Sequence, residues 1–289
     1  MSLRAAVLVT LLTGLAASAL AAPPNAPPAA VARTLGDLTL YTLRDAEFAA
    51  PNDGKTFGVG PGVGPAKVAE VLTAAGAPAD KISLSVDALL VKSGGRILLF
   101  DTGVGGVLLD SLALAGVRPD EVTDIFITHS HFDHIGGLTR AEGLKFPNAT
   151  IHMSAREWAF LQTQTQFSRA VATISPKVST FEPGAPIVPG VRAIDLYGHT
   201  PGHVAYEITS KGVSVVDIGD LAHSSILSLA RPEWAMQYDA DQVKGAEVRS
   251  RTVSALASRG QLIFAPHFPY PGIGVIAKAK DGYAFRPQP

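Results

Sequence analysis

The chain has 289 residues, 47% of them apolar and 17% charged, and its formal net charge is −1. This balance provides no basic surface for nucleic acid or for acidic lipid, so the expected ligand is a small molecule that carries little charge. Cysteine is absent, which excludes disulfides, thiolate nucleophiles and cysteine-bound zinc, and any metal ion must therefore be bound by His, Asp or Glu.

The first residues predict a secretory signal peptide over residues 1–21. A weakly basic start at Arg4 precedes an apolar run over residues 5–15, and Ala19-Leu20-Ala21 has the small-residue pattern of a cleavage site. A membrane-spanning helix is the alternative, but the run is short and Pro23-Pro24 follows at once. We therefore expect a periplasmic or secreted protein that is not inserted in the membrane once the signal is removed.

The next segment, residues 22–32, is rich in Pro and Ala and predicts an extended linker without a core of its own. Beyond it the sequence shows no internal repeat and no second linker. A single folded domain is therefore predicted over residues 33–289.

Strand and helix patterns alternate along this domain, with glycine-containing turns that indicate hairpins. The predicted elements are strands 82–91 and 96–100 joined by a hairpin at 92–95, a helix over 107–115, strands 124–127 and 150–153, a helix over 154–162 with Ser154 as N-cap, strands 205–208 and 213–218, a long helix over 241–258 ended by Gly260, and strands 262–265 and 275–278. Hairpin strands are antiparallel, which argues against an all-parallel doubly wound sheet. Two mixed sheets packed together, with helices outside, fit this order better.

Four side chains that can bind metal lie within six positions, directly after the predicted strand 124–127. They are His129, His131, Asp133 and His134. In an extended segment His129 and His131 point the same way and can reach one ion, while the other two, past a turn at Phe132, can face a second ion. A purely structural role is the weaker interpretation, because three imidazoles and a carboxylate would be costly to bury unpaired.

This segment resembles the His-x-His-x-Asp-His signature of metallo-β-lactamase-fold hydrolases. The resemblance extends over nearly the whole chain after the signal peptide. The other matching elements are Leu99-Phe100-Asp101-Thr102-Gly103, Gly198-His199-Thr200-Pro201-Gly202-His203, Gly219-Asp220 and Ala265-Pro266-His267. The family implies an α+β fold, a four-layer αββα sandwich made of two mixed β-sheets with helices outside.

The resemblance also implies a dinuclear metal site. The first ion would be bound by His129, His131 and His199, the second by Asp133, His134 and His267, and both by Asp220. Asp133 and Asp220 are thereby expected to serve catalysis as well as metal binding. Behind the ligands, Asp101 is expected to steady a ligand histidine or the turn, and His203 to lie beside the metal loop as a histidine satisfied by hydrogen bonds.

Two divalent ions that share a carboxylate and a water lower the pKa of that water and stabilise charge on the attacked group. The expected nucleophile is hydroxide, attacking a carbonyl carbon or a phosphorus. An all-His/Asp ligand set favours zinc, although cobalt, manganese or iron could occupy the same ligands.

Within the family, the segment His267-Phe268-Pro269-Tyr270-Pro271-Gly272-Ile273-Gly274 and the long helix before it resemble methyl parathion hydrolase and its lactonase and arylesterase relatives. This similarity implies a neutral substrate: a lactone, an aryl ester or an organophosphate triester. Phe268, Tyr270, Trp158 and Phe160 could form an apolar wall for the leaving group, with ordinary core packing as the alternative, and His223 could line the same pocket. The aromatic positions around Trp158 do not match those of the organophosphate pocket in that family, which puts phosphotriester hydrolysis in doubt.

Other substrates and roles fit the sequence less well. True β-lactamases of this fold lack the bridging Asp, and glyoxalase II-type thioesterases bind glutathione, for which the last third of the chain offers no basic cluster. A non-catalytic metal-binding protein is disfavoured because no ligand is missing, and a nucleic-acid phosphodiesterase would need a basic groove. An exposed apolar patch could allow a homodimer, but no residue identifies it.

Overall fold

The computed structural model describes residues 26–288. The predicted signal peptide, residues 1–21, lies outside the described residues, as does the first part of the predicted linker. The first sheet begins at Ala30, slightly before the predicted domain boundary at residue 33. The strands are β1 (Ala30–Leu35), β2 (Leu38–Pro51), β3 (Phe57–Val59), β4 (Lys81–Ser93), β5 (Arg96–Phe100), β6 (Asp124–Phe126), β7 (Thr139–Arg140), β8 (Gly143–Leu144), β9 (Thr150–Ser154), β10 (Val178–Phe181), β11 (Pro186–Val188), β12 (Val191–Asp195), β13 (Val204–Ser210), β14 (Val213–Asp217), β15 (Ala235–Met236), β16 (Leu262–Phe264), β17 (Ile273–Lys278) and β18 (Tyr283–Pro287).

Two helices, α4 and α7, begin at a residue whose side chain caps them. Ser154 accepts a hydrogen bond from the backbone N–H of Glu157, and Asp241 accepts one from Lys244, so each satisfies a free donor of a first helical turn. Gly260 ends the long helix in the left-handed conformation, at φ 58°. The helices are α1 (Pro65–Ala74), α2 (Leu108–Leu114), α3 (Phe132–Ile135), α4 (Ala155–Thr163), α5 (Ser168–Ile174), α6 (Leu227–Ala230) and α7 (Gln242–Arg259).

Two seven-stranded sheets are built from the two halves of the chain. The first has the order β1-β2-β4-β5-β6-β9-β10 and the second the order β11-β12-β13-β14-β16-β17-β18. Both are mixed: β5, β6, β9 and β10 run parallel to one another, as do β14 and β16, whereas the other neighbours are antiparallel. The hairpin between β4 and β5 turns through Gly94 and Gly95, both with positive φ, as predicted.

Three apolar layers hold the sandwich together. Residues from both sheets, such as Leu89, Phe126 and Tyr206, interlock between the sheets. Helices α2, α4 and α5 pack on the outer face of the first sheet, and α7 packs on the outer face of the second. The predicted α+β fold, a four-layer αββα sandwich, is therefore confirmed.

The remaining elements extend this frame. Helix α1 and β3 belong to a fourth apolar cluster with β2, β4 and α6, and β3 pairs only with β15. Neither α1 nor the long strand β2 was predicted, because the segment before residue 82 carries no recognised motif. Among residues 26–288, no helix is both long enough and apolar enough to cross a membrane.

One edge of β4 is shared by two partners. Strand β5 pairs with β4 only as far as Leu89, since β5 ends at Phe100. Beyond that point the loop after β16 takes its place: Ser85 N–H donates to the His267 carbonyl at 3.2 Å, and Asp87 N–H to the Pro266 carbonyl at 3.1 Å. A loop of the second sheet is thereby fixed against the first sheet.

Candidate metal centre

The histidine-rich segment follows β6 and enters the short helix α3. His129 and His131 lie on the extended stretch before the helix, and Asp133 and His134 lie in its first turn. The predicted turn at Phe132 is thus the start of a helix. This change of backbone direction lets the two pairs face different partners, because neighbouring positions in an extended chain and in a helix project differently.

The first pair meets two residues from the second sheet. His199 Nε2 lies 3.2 Å from His129 Nε2 and 3.0 Å from His131 Nδ1. Asp220 Oδ2 lies 3.2 Å from His199 Nε2 and 3.5 Å from His129 Nε2. Four potential ligands therefore surround one point.

The second pair meets the loop after β16. His134 Nε2 lies 3.3 Å from His267 Nε2, and Asp133 Oδ2 lies 3.5 Å from the same atom of His267. Asp220 Oδ1 is 3.0 Å from both His134 Nε2 and His267 Nε2. The two carboxylate oxygens of Asp220 thus face different clusters, and all seven predicted ligands come together in two adjacent groups.

Most of these imidazoles are oriented by a hydrogen bond at the ring nitrogen that points away from the centre. His134 Nδ1 lies 2.7 Å from Asp101 Oδ2, His199 Nδ1 lies 3.0 Å from Asp239 Oδ1, and His267 Nδ1 lies 2.7 Å from the Ser85 carbonyl. When these outer nitrogens donate, the Nε2 lone pairs point inward, which is the arrangement found in metal sites.

Asp101 also fixes the start of the histidine segment. Its Oδ1 accepts a hydrogen bond from the Thr128 N–H at 2.8 Å, and its Oδ2 accepts one from the Thr128 hydroxyl at 2.7 Å. That hydroxyl in turn lies 3.1 Å from His129 Nδ1. Asp101 therefore supports one histidine of each cluster, His134 directly and His129 through Thr128. This is the supporting role expected from the sequence.

His203 lies behind Asp220 and holds its backbone. Its Nδ1 donates to the Leu196 carbonyl at 3.2 Å, and its Nε2 accepts from the Asp220 N–H at 3.1 Å. Burial lowers the pKa of His203 to about 3, so the ring stays neutral and Nε2 remains an acceptor. Gly219 has φ 48°, and a Cβ there would lie 2.7 Å from His203 Nε2.

The electrostatics of the two clusters fit divalent cations. Burial lowers the pKa of His129 well below its usual range. Burial also acts against charge on His134 and His267, but Asp220 and neighbouring carboxylates raise the pKa of both. Burial would raise the pKa of Asp220, but the surrounding histidines, led by His134, lower it well below its usual range. The centre is therefore a buried carboxylate among converging imidazole nitrogens. Inward-pointing nitrogen lone pairs about 3 Å apart repel one another unless a cation lies between them. Carboxylate and imidazole donors suit zinc and similar divalent metals.

Four of the predicted pocket residues lie elsewhere. Phe268 is fully buried in the cluster outside the second sheet and packs against Phe285, so it belongs to the core and its assignment to the pocket is wrong. Trp158 packs against the cluster outside the first sheet, and Tyr270 lies under Arg44 and donates to the Thr42 carbonyl. Among the described residues, no ring contact joins these two side chains or Phe160 to a ligand histidine.

His223, predicted to line the substrate pocket, lies next to Asp220 at the centre. Its Nε2 is 3.0 Å from Asp220 Oδ2, its Nδ1 has no hydrogen-bond partner among the described residues, and its ring stacks on His267 with centroids 5.5 Å apart. The aromatic wall around it was not predicted: Tyr238 lies 5.4 Å from the His223 ring, Phe57 contacts both of these rings, and Phe48 contacts His267. These three side chains come from β2, β3 and the segment before α7, so no local pattern links them.

Sequence reasoning also missed two buried acidic residues that hold the ligand loops, Glu157 and Asp239. Glu157 accepts hydrogen bonds from the Ser130 N–H and hydroxyl at one oxygen, and from the Thr200 hydroxyl and the Gly202 N–H at the other. It therefore ties the loop of His129 and His131 to the loop of His199. Its position three residues after the N-cap Ser154 is that of a capping-box residue, and only the tertiary structure shows that it ties the two loops together.

Comparisons with known proteins agree with this geometry. The family profile described as "Metallo-beta-lactamase superfamily" matches residues 83–276. Among curated proteins, an N-acyl homoserine lactonase from a Bacillus species is 28% identical over 96 residues, which cover 33% of this chain and only 36% of the lactonase.

Two solved structures are similar over most of the chain. One is AidC, a dizinc quorum-quenching lactonase in complex with a product, with a TM-score of 0.83 and 26% identity, covering 91% of this chain and 98% of AidC. The other is a hydrolase of the beta lactamase superfamily, AbOPH, with a TM-score of 0.80 and 29% identity over 91% of this chain and 98% of that chain.

Proposed function

Because this chain belongs to the metallo-beta-lactamase superfamily and is a metallo-hydrolase of that fold, we propose that it is a dinuclear enzyme that hydrolyses uncharged ester-type substrates. The substrate class is a lactone, an aryl ester or an organophosphate triester. The observation that carries the proposal is the division of Asp220 between two clusters, with one carboxylate oxygen 3.0 Å from His134 and His267 and the other 3.2 Å from His199.

His129, His131 and His199 would hold one divalent ion, Asp133, His134 and His267 the other, and Asp220 both. When bound, two such ions supply an activated water and stabilise negative charge on the attacked group. The protein holds the ligands in place: Asp101, Asp239 and the Ser85 carbonyl keep the imidazoles in one tautomer, so little reorganisation accompanies the reaction.

The side chains next to the centre support an uncharged substrate. The half-buried Phe48 and Tyr238 lie beside His267 and His223, and aromatic side chains bind apolar groups without supplying a counter-charge. The buried Arg249 cannot bind a substrate anion, because its guanidinium is used by Asp239 and two backbone carbonyls. The similarity to the lactonase AidC also supports a lactone.

A hydrolysis panel tests the substrate class. It compares acyl-homoserine lactones, aryl esters, an aryl phosphotriester, a cephalosporin and a glutathione thioester with the zinc-loaded protein. We expect turnover of at least one of the first three, and turnover confined to the cephalosporin or the thioester would overturn the proposal. Metal analysis tests the centre independently: fewer than one ion per chain after zinc supplementation would refute the dinuclear site.

We also propose that the protein is exported to the periplasm or secreted. This rests on the signal-like pattern of residues 1–21 and on the absence of cysteine from the sequence. Fractionation of cells that express the full chain, with N-terminal sequencing of the product, tests the proposal. A cytoplasmic product that retains residues 1–21 would refute it.

A further inference from the structure

We propose that Arg249 and Asp239 form a positioning pair that couples metal binding at His199 to the order of the β3–β15 strand pair, whose Phe57 contacts His223 beside the metal centre. This inference rests on the proposed dinuclear function. Arg249 and Asp239 belong to neither metal cluster, and one continuous set of contacts joins them to His199 and to the strand pair.

Asp239 joins the Arg249–Asp239 pair to the metal ligand His199. Asp239 Oδ1 lies 3.0 Å from His199 Nδ1, and Asp239 Oδ2 accepts a hydrogen bond from Arg249 Nη1 at 3.1 Å. Both side chains are buried, each only 1% exposed. A buried charge of this kind needs a fixed partner, so the carboxylate cannot turn away from Arg249 without a large cost. Its other oxygen is thereby aimed at His199.

The guanidinium of Arg249 is hydrogen-bonded to the backbone that leads into the strand pair. Its Nε donates to the Pro232 carbonyl at 2.9 Å, and its Nη2 donates to the Trp234 carbonyl at 2.7 Å. These carbonyls lie directly before β15, whose sheet partner is β3. One guanidinium therefore holds both the carboxylate of Asp239 and the backbone leading into β15.

Phe57 joins the strand pair to the metal centre. Strand β3 carries Phe57, whose ring contacts His223 at 6.4 Å and Tyr238 at 6.4 Å. Trp234 packs over the same strand, since a Cβ at Gly58 would lie 3.7 Å from its ring. The position of Phe57 beside His223 thus depends on how firmly β15 holds β3.

Backbone contacts make the connection two-sided. The Ala240 N–H donates to the His199 carbonyl at 2.9 Å, and the Asp241 N–H donates to the Gly198 carbonyl at 3.0 Å. The segment from Pro232 to Asp241 is therefore attached to the His199 loop at one end and to β3 at the other. Fixing His199 by a metal ion restricts the whole segment.

The chain contains a matched control. Asp124 Oδ1 lies 2.9 Å from His152 Nε2, and Arg96 binds the same carboxylate, so the same three residue types form a second network. His152 belongs to neither metal cluster. Asp124 lies at the start of β6, five residues before His129, which separates the two by about 16 Å in extended chain.

The test uses the two tryptophans of the sequence, Trp158 and Trp234. In the Trp158→Phe variant Trp234 is the single remaining tryptophan, so the fluorescence emission reports on its surroundings. Zinc or cobalt is then titrated into the metal-free protein. We expect a metal-dependent change in Trp234 emission. In Arg249→Met we expect that change to be lost and metal affinity by chelator competition to fall about 10- to 100-fold. Arg249→Lys, which keeps a charge near Asp239, should restore part of both, and Asp124→Asn should alter neither.

Asp239→Asn adds a spectroscopic signature. Cobalt reports ligand geometry in its visible spectrum, and we expect the spectrum of the first site to change in Asp239→Asn but not in Asp124→Asn. Wild-type emission change and affinity in Arg249→Met would overturn the proposal. If these variants do not fold, amide hydrogen exchange of the wild type tests the proposal instead. Metal binding should slow exchange in residues 57–59 and 232–241 more than in residues 150–154. Equal protection of all three segments would overturn the proposal. Failure of the proposed function would instead show as missing metal or missing turnover in the wild type.

Discussion

Glu157→Gln replaces one buried carboxylate oxygen by an NH₂ group, which can only donate. In the wild type each oxygen accepts two hydrogen bonds, one from a backbone N–H and one from a hydroxyl: Ser130 supplies the pair at 2.8 and 2.6 Å, and Gly202 and Thr200 supply the pair at 2.9 and 2.7 Å. In the variant a backbone N–H must face the new NH₂ group. The hydroxyl on that side can rotate to accept, but the backbone donor has no alternative.

The magnitude follows from these four bonds. One buried backbone donor left unpaired costs about 1–3 kcal/mol, and the remaining bonds lose the extra strength of a charged acceptor, about 1 kcal/mol. We therefore expect Glu157→Gln to lower the free energy of unfolding by about 2–4 kcal/mol. Because His129, His131 and His199 flank the affected loops, we also expect first-site metal affinity to fall about 10- to 100-fold.

Urea denaturation of the metal-free protein and chelator competition measure the two effects separately. Ser130→Ala and Thr200→Val each remove one hydroxyl donor and should show smaller losses, about 1 kcal/mol. Asp124→Asn serves as the control, since it disturbs a buried carboxylate that touches neither loop. A Glu157→Gln variant that loses less than about 1 kcal/mol and keeps wild-type metal affinity would show that Glu157 does not hold the loops together.

Three further predictions concern stability. Burial would raise the pKa of Asp124, but hydrogen bonds led by that of His152 lower it from 3.8 to about 2. This stabilisation is present above the unfolded pKa and is lost as pH falls through the folded pKa. In urea denaturation, Asp124→Asn should therefore lower the free energy of unfolding by about 1–2 kcal/mol at neutral pH and by little near pH 2. The same loss at both pH values would contradict this. Burial raises the pKa of Asp87 well above its usual range, and neither of its oxygens has a hydrogen bond within the described residues. Wild-type stability should therefore fall as pH rises above the unfolded pKa, and Asp87→Asn should gain stability relative to the wild type over the same rise, whereas a loss would count against the assignment. Gly219→Ala should cost about 1–3 kcal/mol in thermal unfolding and weaken metal binding, because φ is 48° and the new Cβ would lie 2.7 Å from His203 Nε2; unchanged values would refute that role for the glycine.

Sequence reasoning succeeded where one short segment specifies its own structure. The hairpin at residues 92–95 and helix α7 follow from local glycine, capping and periodicity signals. The histidine segment is similarly local, since its spacing after β6 already separates His129 and His131 from Asp133 and His134. These signals do not depend on which elements pack together.

It failed where several distant elements meet. The wall of Phe48, Phe57 and Tyr238 needs the packing of β2, β3 and the segment before α7, and none of these carries a motif. Phe268 was misplaced because closeness to His267 in sequence does not fix the direction of a side chain. Asp239 lies 40 positions from His199, and only the fold reveals its contact.

The ligand set lies across the boundary between the two sheets. His129 and His131 come from the first half of the chain and His199 from the second, while His134 and His267 divide the other cluster in the same way. Neither half alone offers a complete coordination sphere, so tight metal binding reports that the halves have associated. We therefore expect a chain cut within residues 182–185, between β10 and β11, to form a fragment-complementation system in which divalent metal ions join the two fragments.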